Sequence, residues 1–414
     1  MKLFSKPRRR FMGAALLLIL VLSACGSVAG ESWANISTDG KYIYAAYQEK
    51  IFRINPVPEG GGQPTDRHIE WLVKSPNNTH MYAAPAISDD KVLYEGAYDK
   101  QVYAFPQNTS QVVPVAVGSQ AGDRYAGGAL VKGDIVYIGM GDKGVKAIDR
   151  KANKDLWNFT DTQYGVWATP IIVGNTLYFP SLDHNLYALN VADGKLQWKL
   201  DMGGAVAGTP LYDNGLLYVG TFSNKLLSVN LEQHKVVNSF TTRGWAWGTP
   251  VILKDGDSET LYFADLAGWV YALDPTTFDK KWEANDADHP GSIRGRLALA
   301  KVQSSKWIVI SGSESKYLRA YDAKSGDMYW TSSITTDDKI LSDLIVMGDE
   351  VIFTTLSTKQ MVAAYNIETG QPSWRVNLDD ELTRLQTATN LPIATAGPET
   401  VEPTQAAPTA TQQK

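Results

Sequence analysis

Two short segments carry residue types that could hold a cofactor or a metal. Residues 139–144, Gly-Met-Gly-Asp-Lys-Gly, have the GxGxxG spacing that holds a pyrophosphate when a strand precedes it and a helix follows. Here the strand-like residues 145–148 follow, which favours a β-hairpin. Residues 255–259, Asp-Gly-Asp-Ser-Glu, have the acidic spacing of a calcium loop without its terminal bidentate Glu, and this favours a solvated hairpin.

Other kinds of catalytic or metal chemistry lack their residues in this chain. The five His residues have no paired spacing, and no GxSxG nucleophile elbow occurs. Cys25 is the only cysteine, so the sequence excludes an intramolecular disulfide and a cysteine metal cluster. The net charge of −5 gives no basic excess for nucleic acid binding. We therefore expect no enzyme, no metal site, no cofactor and no nucleic acid partner.

The N-terminal residues are typical of an export signal. Three Arg residues at positions 8–10 precede an apolar run over residues 11–22. That run is shorter than the ~20 residues of a membrane-spanning helix and suits a signal-peptide core. It ends in Leu-Ser-Ala-Cys, which resembles a bacterial lipobox. We predict a signal peptide over residues 1–24, a lipidated Cys25 and a short linker over residues 25–32.

This N-terminus places the protein outside the cytoplasm, anchored to a membrane by lipid. Gly26 follows the Cys instead of the Asp associated with inner-membrane retention, which favours the outer membrane if the organism has one. An ordinary signal with an incidental Cys, and twin-arginine export through residues 8–10, are the alternatives. At the other end, residues 387–414 are mostly Thr, Ala, Pro and Gln, and we predict a disordered tail.

Between these ends the sequence repeats with a period of about 40 residues. Thr-Pro pairs end at Pro170, Pro210 and Pro250, which are 40 residues apart. A second mark is an Asn or Asp that stands eight residues before a Trp: Asp149–Trp157, Asn190–Trp198, Asp274–Trp282, Asp322–Trp330 and Asn366–Trp374. Strand-rich repeats of this length are typical of a β-propeller, in which each sheet stacks on its neighbours.

Residues 166–200 illustrate one repeat unit. Four strand-like segments alternate with turns at residues 174–175, 183–185 and 193–194, as in a four-stranded antiparallel propeller blade. Eight such units fit between residues 33 and 380, and we predict an all-β, eight-bladed β-propeller. A seven-bladed ring is the alternative if the first unit is incomplete. Pro114 and Asn238 take the place of the Trp in the second and fifth units.

The repeated Trp has a structural role in this prediction. A bulky ring on the outermost strand can dock between neighbouring blades and bury ~150–250 Å². The evenness of the repeat favours architecture over ligand binding, because function tends to break symmetry. The predicted docking residues are Trp71, Trp157, Trp198, Trp282, Trp330 and Trp374.

The units resemble the repeat of pyrroloquinoline-quinone-like (PQQ-like) propellers. The matching strings are Asn-Leu-Tyr-Ala-Leu-Asn at residues 185–190, Asp-Gly-Lys-Leu-Gln-Trp at 193–198 and Val-Tyr-Ala-Leu-Asp at 270–274. Quinone-dependent dehydrogenases of this fold use an acidic calcium site and often a disulfide of adjacent cysteines, which a chain with one Cys cannot form. With its predicted lipid and eight blades, this chain is similar to the BamB-type lipoproteins of outer-membrane β-barrel assembly. This resemblance implies that the chain acts as a scaffold for other proteins.

One feature departs from the symmetry of the repeat. The position three residues before the first-strand Pro holds large side chains in several units: Tyr82, Tyr125, Trp167, Trp247 and Arg294. Because first strands line the central channel, we expect these side chains to form a ring at its mouth, where they could bind a ligand or a partner. Trp245 and Arg243 stand just beyond the ring. The alternative is that the aromatic rings pack between blades near the axis.

Two functions fit this sequence. In the first, a monomeric propeller is a non-catalytic scaffold, anchored outside the cytoplasm, that binds envelope protein partners. In the second, the protein is a sensor that binds a small ligand in the central channel of the propeller. A PQQ-dependent dehydrogenase is a less favoured version of this second function. We predict the first.

Overall fold

The computed structural model describes residues 35–56, 67–107 and 113–387. They form eight four-stranded antiparallel sheets, and the four strands of each sheet are consecutive in the chain. The sheets are the blades of a propeller, so the predicted all-β, eight-bladed fold is confirmed and the seven-bladed alternative is excluded. The predicted signal peptide, Cys25, the linker and residues 388–414 lie outside the described residues.

In the described residues, the secondary structure consists of 32 strands, four to a blade, one α-helix and two short 3₁₀ turns. In chain order the strands are β1 (Ile36–Thr38), β2 (Ile43–Tyr47), β3 (Lys50–Ile54), β4 (Ile69–Lys74), β5 (Ala86–Ile87), β6 (Val92–Gly96), β7 (Val102–Pro106), β8 (Val115–Val117), β9 (Ala129–Lys132), β10 (Ile135–Gly139), β11 (Val145–Asp149), β12 (Lys154–Phe159), β13 (Ile171–Val173), β14 (Thr176–Pro180), β15 (Asn185–Asn190), β16 (Leu196–Asp201), β17 (Leu211–Asp213), β18 (Leu216–Thr221), β19 (Lys225–Asn230), β20 (Lys235–Thr241), β21 (Val251–Asp255), β22 (Ser258–Ala264), β23 (Val270–Leu273), β24 (Lys280–Ala284), β25 (Ala298–Lys301), β26 (Trp307–Gly312), β27 (Tyr317–Asp322), β28 (Ile334–Thr335), β29 (Ile345–Met347), β30 (Glu350–Thr354), β31 (Val362–Asn366) and β32 (Pro372–Val376). The helix is α1 (Leu378–Thr387), and the 3₁₀ turns are Pro76–Asn78 and Thr358–Gln360.

The strand directions define the two ends of the propeller. Neighbouring strands of a blade are antiparallel, so the first strand starts, the second ends, the third starts and the fourth ends at the same end. We call this end the funnel face. It carries the turns between second and third strands and the loops that join one blade to the next, while the opposite face carries the remaining turns.

The hydrophobic core lies between the blades. Each of eight clusters of buried side chains combines residues from two neighbouring blades. In blade 4, for example, Phe179 belongs to the cluster shared with blade 3 and Tyr178 to the cluster shared with blade 5, because successive side chains point to opposite faces of a strand. A single blade therefore has no core of its own, and its stability depends on its neighbours.

Blades are joined by a contact that we call the blade latch. In blade 7, Oδ1 of Asp322 accepts the amides two and three residues further on and so shapes the turn before the fourth strand. This turn presents the carbonyl of Ala323 to the indole N–H of Trp282 in blade 6, at 2.9 Å. Trp330, eight residues after Asp322, donates to the carbonyl of Ile367 in blade 8 at 3.1 Å. The Asp322–Trp330 pair thus accepts one latch and donates the next.

The same latch joins blades 3 and 4, and an altered form joins blades 5 and 6. Trp157 donates to the carbonyl of Val191 at 3.0 Å, and its ring lies against Gly194, where a φ of +68° and the missing Cβ leave room for the indole. Asn238, which takes the place of the Trp in blade 5, donates its amide to the carbonyl of Thr276 in blade 6 at 2.8 Å. A side-chain N–H donor is therefore kept where the ring is absent.

The remaining predicted docking residues lie at blade interfaces through other contacts. Trp198 stacks on His234 of blade 5, with ring centroids 4.7 Å apart. Trp374 is buried in the cluster between blades 8 and 1 and donates to Glu350 of its own blade. Trp71 packs against the cluster between blades 1 and 2.

Helix α1 closes the ring without a swapped strand. It follows β32 of blade 8, and the carboxylate of Glu381 accepts the amide of Ile69 in blade 1 at 2.8 Å. The same carboxylate pairs with His68 at 2.6 Å and with Arg384 at 2.7 Å, and Arg384 donates to the carbonyl of Ile69. Apolar residues of α1 join the cluster between blades 8 and 1. No helix is predicted here from the sequence. The helix α1 continues the described structure beyond blade 8 to residue 387.

Replacing Trp330 with Ala should lower the free energy of unfolding by about 3–5 kcal/mol, because removal of a large buried side chain leaves a cavity. Trp330→Phe keeps much of the apolar contact but leaves the carbonyl of Ile367 without this donor, and it should cost about 1–3 kcal/mol. Denaturant unfolding measures both changes. The control is Tyr212→Ala on the opposite face, where the ring is 42% exposed and the expected change is within about 0.5 kcal/mol. If Trp330→Ala were as stable as Tyr212→Ala, the latch would not contribute to the stability of the ring.

Glu381→Gln should weaken ring closure at neutral pH and remove an acid-sensitive part of the stability. Burial alone would raise the pKa of Glu381, but hydrogen bonds from Arg384, His68 and the amide of Ile69 outweigh it and hold the pKa below its ordinary value. A lowered pKa stabilises the fold above the unfolded-state value of ~4.3, and this stabilisation is lost as the pH falls through the folded-state pKa.

The thermal midpoints of the wild type and E381Q should therefore differ at pH 7 and converge as the pH falls below about 4. Hydrogen exchange at the amide of Ile69 should also be faster in E381Q at pH 7, because its acceptor is weaker. Asp380→Asn, at an exposed carboxylate of the same helix, is the matched control. A midpoint difference that is the same at pH 3.5 and pH 7 would rule out the carboxylate as the closing group.

Candidate functional site

Four of the five predicted funnel residues meet at the mouth of the central channel. One cavity of about 170 Å³ is lined by Tyr82, Trp167, Trp247 and Arg294, together with residues from each of the remaining four blades. Each of them lies in the loop that leads into the first strand of its blade, on the funnel face. The small side chain of Ala207 occupies the corresponding place in blade 5.

Tyr125 does not belong to this ring, and its predicted placement is corrected here. Its side chain is 1% exposed and lies in the cluster between blades 2 and 3, while Ala126 lines the mouth. The amide of Tyr125 makes the same kind of interblade hydrogen bond as the amide of Val166, so Tyr125 is equivalent to Val166 and not to Trp167. Blade 3 has no first-strand Pro, and the sequence alignment is therefore displaced by one residue.

Behind the mouth, the first strands enclose a wider part of the channel, a cavity of about 610 Å³. Its aliphatic lining is Ile36, Leu211, Val251, Ile252, Leu297, Leu299, Leu344, Ile345 and Val346. Arg296 and Asp343 supply its charges, and the backbone amide of Arg296 donates to the carboxylate of Asp343 at 2.7 Å. The walls are thus mostly aliphatic, with the hydroxyl side chains of Ser37, Thr38 and Thr249 and the Arg296–Asp343 contact as polar groups.

Four aromatic side chains form a continuous stack from the rim of the funnel face to the mouth, which we call the aromatic ladder. Trp245 is 48% exposed and stacks on Phe222 at 4.6 Å between centroids, with the rings 10° from parallel. Phe222 contacts Trp247 at 5.0 Å, and Trp247 contacts Trp167 at 6.3 Å. The guanidinium of Arg294 lies 4.6 Å from the ring of Trp247.

The cations beside the ladder are each paired with an acid. Arg294 contacts Glu314 at 2.7 Å, and Arg243 contacts Glu283 at 2.7 Å. Arg243 also lies 4.0 Å from the ring of Trp269. The surface around the ladder therefore combines aromatic area with hydrogen-bonding groups, and these two pairs add no net charge to it.

The loop that carries Trp245 is held by a carboxylate at its base. Oδ2 of Asp265 accepts the amides of Arg243 and Gly244 at 3.0 and 2.8 Å, and it accepts the hydroxyl of Tyr271 at 2.8 Å. Burial, together with the hydrogen bond to Asp265, raises the pKa of Tyr271, so this hydroxyl stays a donor at neutral pH. The exposed Trp245 thus projects from a fixed backbone.

The segments with cofactor-like or metal-like spacing are hairpins. Residues 139–144 join β10 to β11 without a helix, and residues 255–258 form the turn between β21 and β22. In the described ranges, no three His, Cys, Asp or Glu side chains lie close enough to hold a metal ion. No helix in those ranges is long and apolar enough to cross a bilayer.

A PQQ-type family model, described as outer membrane protein assembly factor BamB, matches residues 65–268 and 266–405. These two matches cover most of the chain. The chain belongs to this BamB family. The resemblance to PQQ-like, BamB-type propellers is thereby confirmed.

Individual relatives are distant. The chain is 24% identical over 325 residues to outer membrane protein assembly factor BamB of Burkholderia pseudomallei, covering 72% of this chain and 80% of that protein. It is 22% identical over 383 residues to tetrathionate hydrolase of Acidithiobacillus ferrooxidans, covering 78% and 74%. The crystal structure of BamB from Moraxella catarrhalis aligns with a TM-score of 0.60 at 16% identity, covering 80% of this chain and 92% of that one. This structural likeness shows the fold alone.

Sequence reasoning missed Phe222, the ring that connects Trp245 to the mouth in this BamB-family propeller. Phe222 lies in the turn between β18 and β19, outside every repeated aromatic position. The equivalent turn of blade 2 also carries an aromatic, Tyr98, which contacts the funnel residue Tyr82 at 4.4 Å. An aromatic side chain just after the second strand was the available signal.

A buried carboxyl lies close to the mouth on the side of blades 1 and 2. Glu95 in β6 is 0% exposed, and one of its oxygens accepts the amide of Ala83 at 3.0 Å. Its other oxygen has no hydrogen-bond partner among the described residues. Burial raises the pKa of Glu95 well above its ordinary value, against the effect of the Ala83 amide, and so favours the neutral acid. At the corresponding strand positions, five other blades have apolar residues, Ile138, Phe179, Val219, Phe263 and Phe353, and blade 7 has the uncharged polar residue Ser311.

Glu95→Gln should stabilise the protein increasingly as the pH rises. The raised pKa means that the folded state keeps its proton while the unfolded state loses it above ~4.3, so the wild type loses stability with rising pH. E95Q has no such proton, and the difference should grow by at most about 1.4 kcal/mol per pH unit. Denaturant unfolding at pH 4.5, 6 and 7.5 measures it, with the exposed Glu232→Gln as control. A difference that is independent of pH would contradict a protonated Glu95.

Proposed function

We propose that this chain is a lipid-anchored scaffold outside the cytoplasm that binds protein partners in the cell envelope and takes part in their assembly. The observation that carries the proposal is the aromatic ladder, which reaches the surface on the funnel face of a BamB-family propeller. Anchoring through Cys25, a monomeric state and the absence of catalysis belong to the same proposal.

The ladder has the composition of a protein-binding site. Trp, Tyr and Arg are enriched in the energetically dominant residues of protein interfaces, and rigid aromatic rings lose little conformational entropy on binding. Trp245 exposes about half of its surface yet is held flat against Phe222, so its orientation is set before a partner arrives. The neighbouring Arg294–Glu314 and Arg243–Glu283 pairs form a polar border.

The channel supports a second candidate, a sensor for a small ligand. Its cavity of about 610 Å³ lies within the range of roughly 300–1,000 Å³ that is typical of small-molecule pockets. A spectral or thermal shift on titration with PQQ and Ca²⁺ would favour this candidate. Hydrolysis of tetrathionate by the purified protein, as in its hydrolase relative, would overturn the non-catalytic proposal.

A photo-crosslinking amino acid at position 245 should give protein adducts in cells, whereas the same group at position 212 on the opposite face should give few. Both native side chains are aromatic and exposed to a similar extent, 48% for Trp245 and 42% for Tyr212, so the pair is a matched control. Adducts of equal yield at both positions would show that the funnel face is not selective.

The double change Trp245→Ala with Phe222→Ala should weaken binding of the partner so identified by about 30-fold or more, since an aromatic hot spot contributes at least ~2 kcal/mol. Tyr212→Ala should leave the affinity within twofold of the wild type. The thermal midpoint of each variant separates loss of binding from loss of folding. Unchanged affinity in the folded double variant would remove the ladder from the binding site.

A further inference from the structure

We propose that the partner segment bound by the aromatic ladder is membrane-proximal and lies between the funnel face and the bilayer. This inference rests on the proposed function, because it takes the lipid at Cys25 and the protein-binding role of the ladder as given. To the proposed function it adds the location of the partner segment relative to the membrane. Three observations carry it: the place where the folded chain begins, the number of residues between that place and Cys25, and the face on which the ladder lies.

The described part of the chain begins at the centre of the funnel face. Asn35 lines the channel mouth together with the funnel residues. Its side-chain oxygen accepts the amides of Ile36 at 2.9 Å and Asp343 at 3.1 Å, and its carbonyl accepts the amide of Ala46 at 3.3 Å. These bonds tie Asn35 to blades 1 and 8 at the axis of the ring. The tether therefore leaves the propeller from near its axis and not from its rim.

The tether is short compared with the propeller. Asn35 lies ten positions after Cys25, with nine residues between them. At no more than ~3.3–3.6 Å per residue, these ten positions hold the channel mouth within about 33–36 Å of the lipid attachment. The bilayer surface is thus always close to the mouth.

The opposite face is beyond the practical reach of this tether. Four strands spaced ~4.7–4.9 Å apart extend a blade by about 14 Å from its first to its fourth strand, before the channel radius and side chains are added. Strands of five to seven residues add roughly 17–23 Å of height at ~3.3 Å per residue. A tether that started at the axis and ran around the rim would be used up before the opposite face touched the membrane. Of the two faces, the funnel face is therefore the one that the tether can hold against the bilayer.

The ladder lies on this same face. Trp245 and Tyr164, which are 48% and 61% exposed, project from loops that join successive blades. Phe222 lies in a turn at the same end of blade 5. A partner that contacts these rings must enter the space between the propeller and the membrane.

Electrostatics favours a protein over the lipid surface itself as the occupant. Arg294 and Arg243 are each paired with a glutamate, and the whole chain carries a net charge of −5. Peripheral binding to an anionic membrane draws on unpaired Lys and Arg near the surface, at about 1 kcal/mol each. The ladder does not have this composition. The partner that fits it is an uncharged or weakly charged segment with apolar side chains.

The test is to lengthen the tether. Inserting 30 Gly/Ser residues between residues 31 and 32 increases the tether from about 10 to about 40 residues, and the effective concentration should fall as roughly the −3/2 power of length, or about eightfold. In cells, the crosslinking yield of the position-245 probe to its partner should fall by about that factor. The same insertion after residue 390, behind the fold, is the matched control and should leave the yield unchanged.

The outcomes separate this inference from the function on which it rests. An unchanged crosslinking yield with the long tether, at equal affinity for the purified partner, would overturn the membrane-proximal placement and leave the scaffold role intact. The anchored protein can also be placed in vesicles that contain no other protein. Crosslinks from position 245 to phospholipid there would show that the funnel face contacts the membrane and would overturn a protein occupant. No protein adduct at native tether length would instead count against the proposed function.

Discussion

The packing of each blade against its neighbours is the constraint on which the ring depends. No blade has a core of its own, so the apolar side chains are protected from water only if neighbouring blades stay in contact. The latch adds direction to this packing, because an indole N–H must meet the one carbonyl that an Asx-capped turn presents. Asp322 and Trp330 show why the repeat keeps eight residues between Asx and Trp: the turn receives the preceding blade and the Trp reaches the following one. The period of the sequence therefore reflects the spacing of these hydrogen bonds between blades.

The interface between blades 8 and 1 is closed by other contacts than the latch. Trp374 of blade 8 donates to Glu350 of its own blade. Blade 1 is the first blade in chain order and blade 8 the last, so the contact between them joins residues more than 300 positions apart. Helix α1 supplies the missing directional contact through Glu381, whose carboxylate accepts one backbone amide and pairs with two cationic or ionisable side chains. A buried carboxylate is stable only when such donors compensate its desolvation. Closure thus depends on a small group of polar contacts placed over an apolar cluster.

The repeated features were predictable from the sequence, because each of them recurs and each occurrence checks the others. Blade count, strand order and the positions of Trp157 and Trp330 follow from the period. Features that occur once were not predictable in this way. Tyr125 was displaced by one residue because blade 3 lacks the first-strand Pro, and a shift of one position in an extended chain moves a side chain to the other face. Helix α1 has apolar residues at helical spacing, but it adjoins a Thr/Ala/Pro-rich segment and lies outside the repeat.

The difference between repeated and unrepeated aromatic residues also supports the proposed binding site. Repeated rings such as Trp282 and Trp330 are almost fully buried, because the next blade covers them. In the funnel, Trp167 and Trp247 come from blades 4 and 6, and they can approach to 6.3 Å because the residue between them in blade 5 is the small Ala207. Their contacts with Phe222 and the exposed Trp245 occur in this sector alone and are not part of the repeated latches. Since a continuous aromatic surface in water is costly to leave uncovered, its persistence in one sector of an otherwise regular ring argues for a partner that covers it.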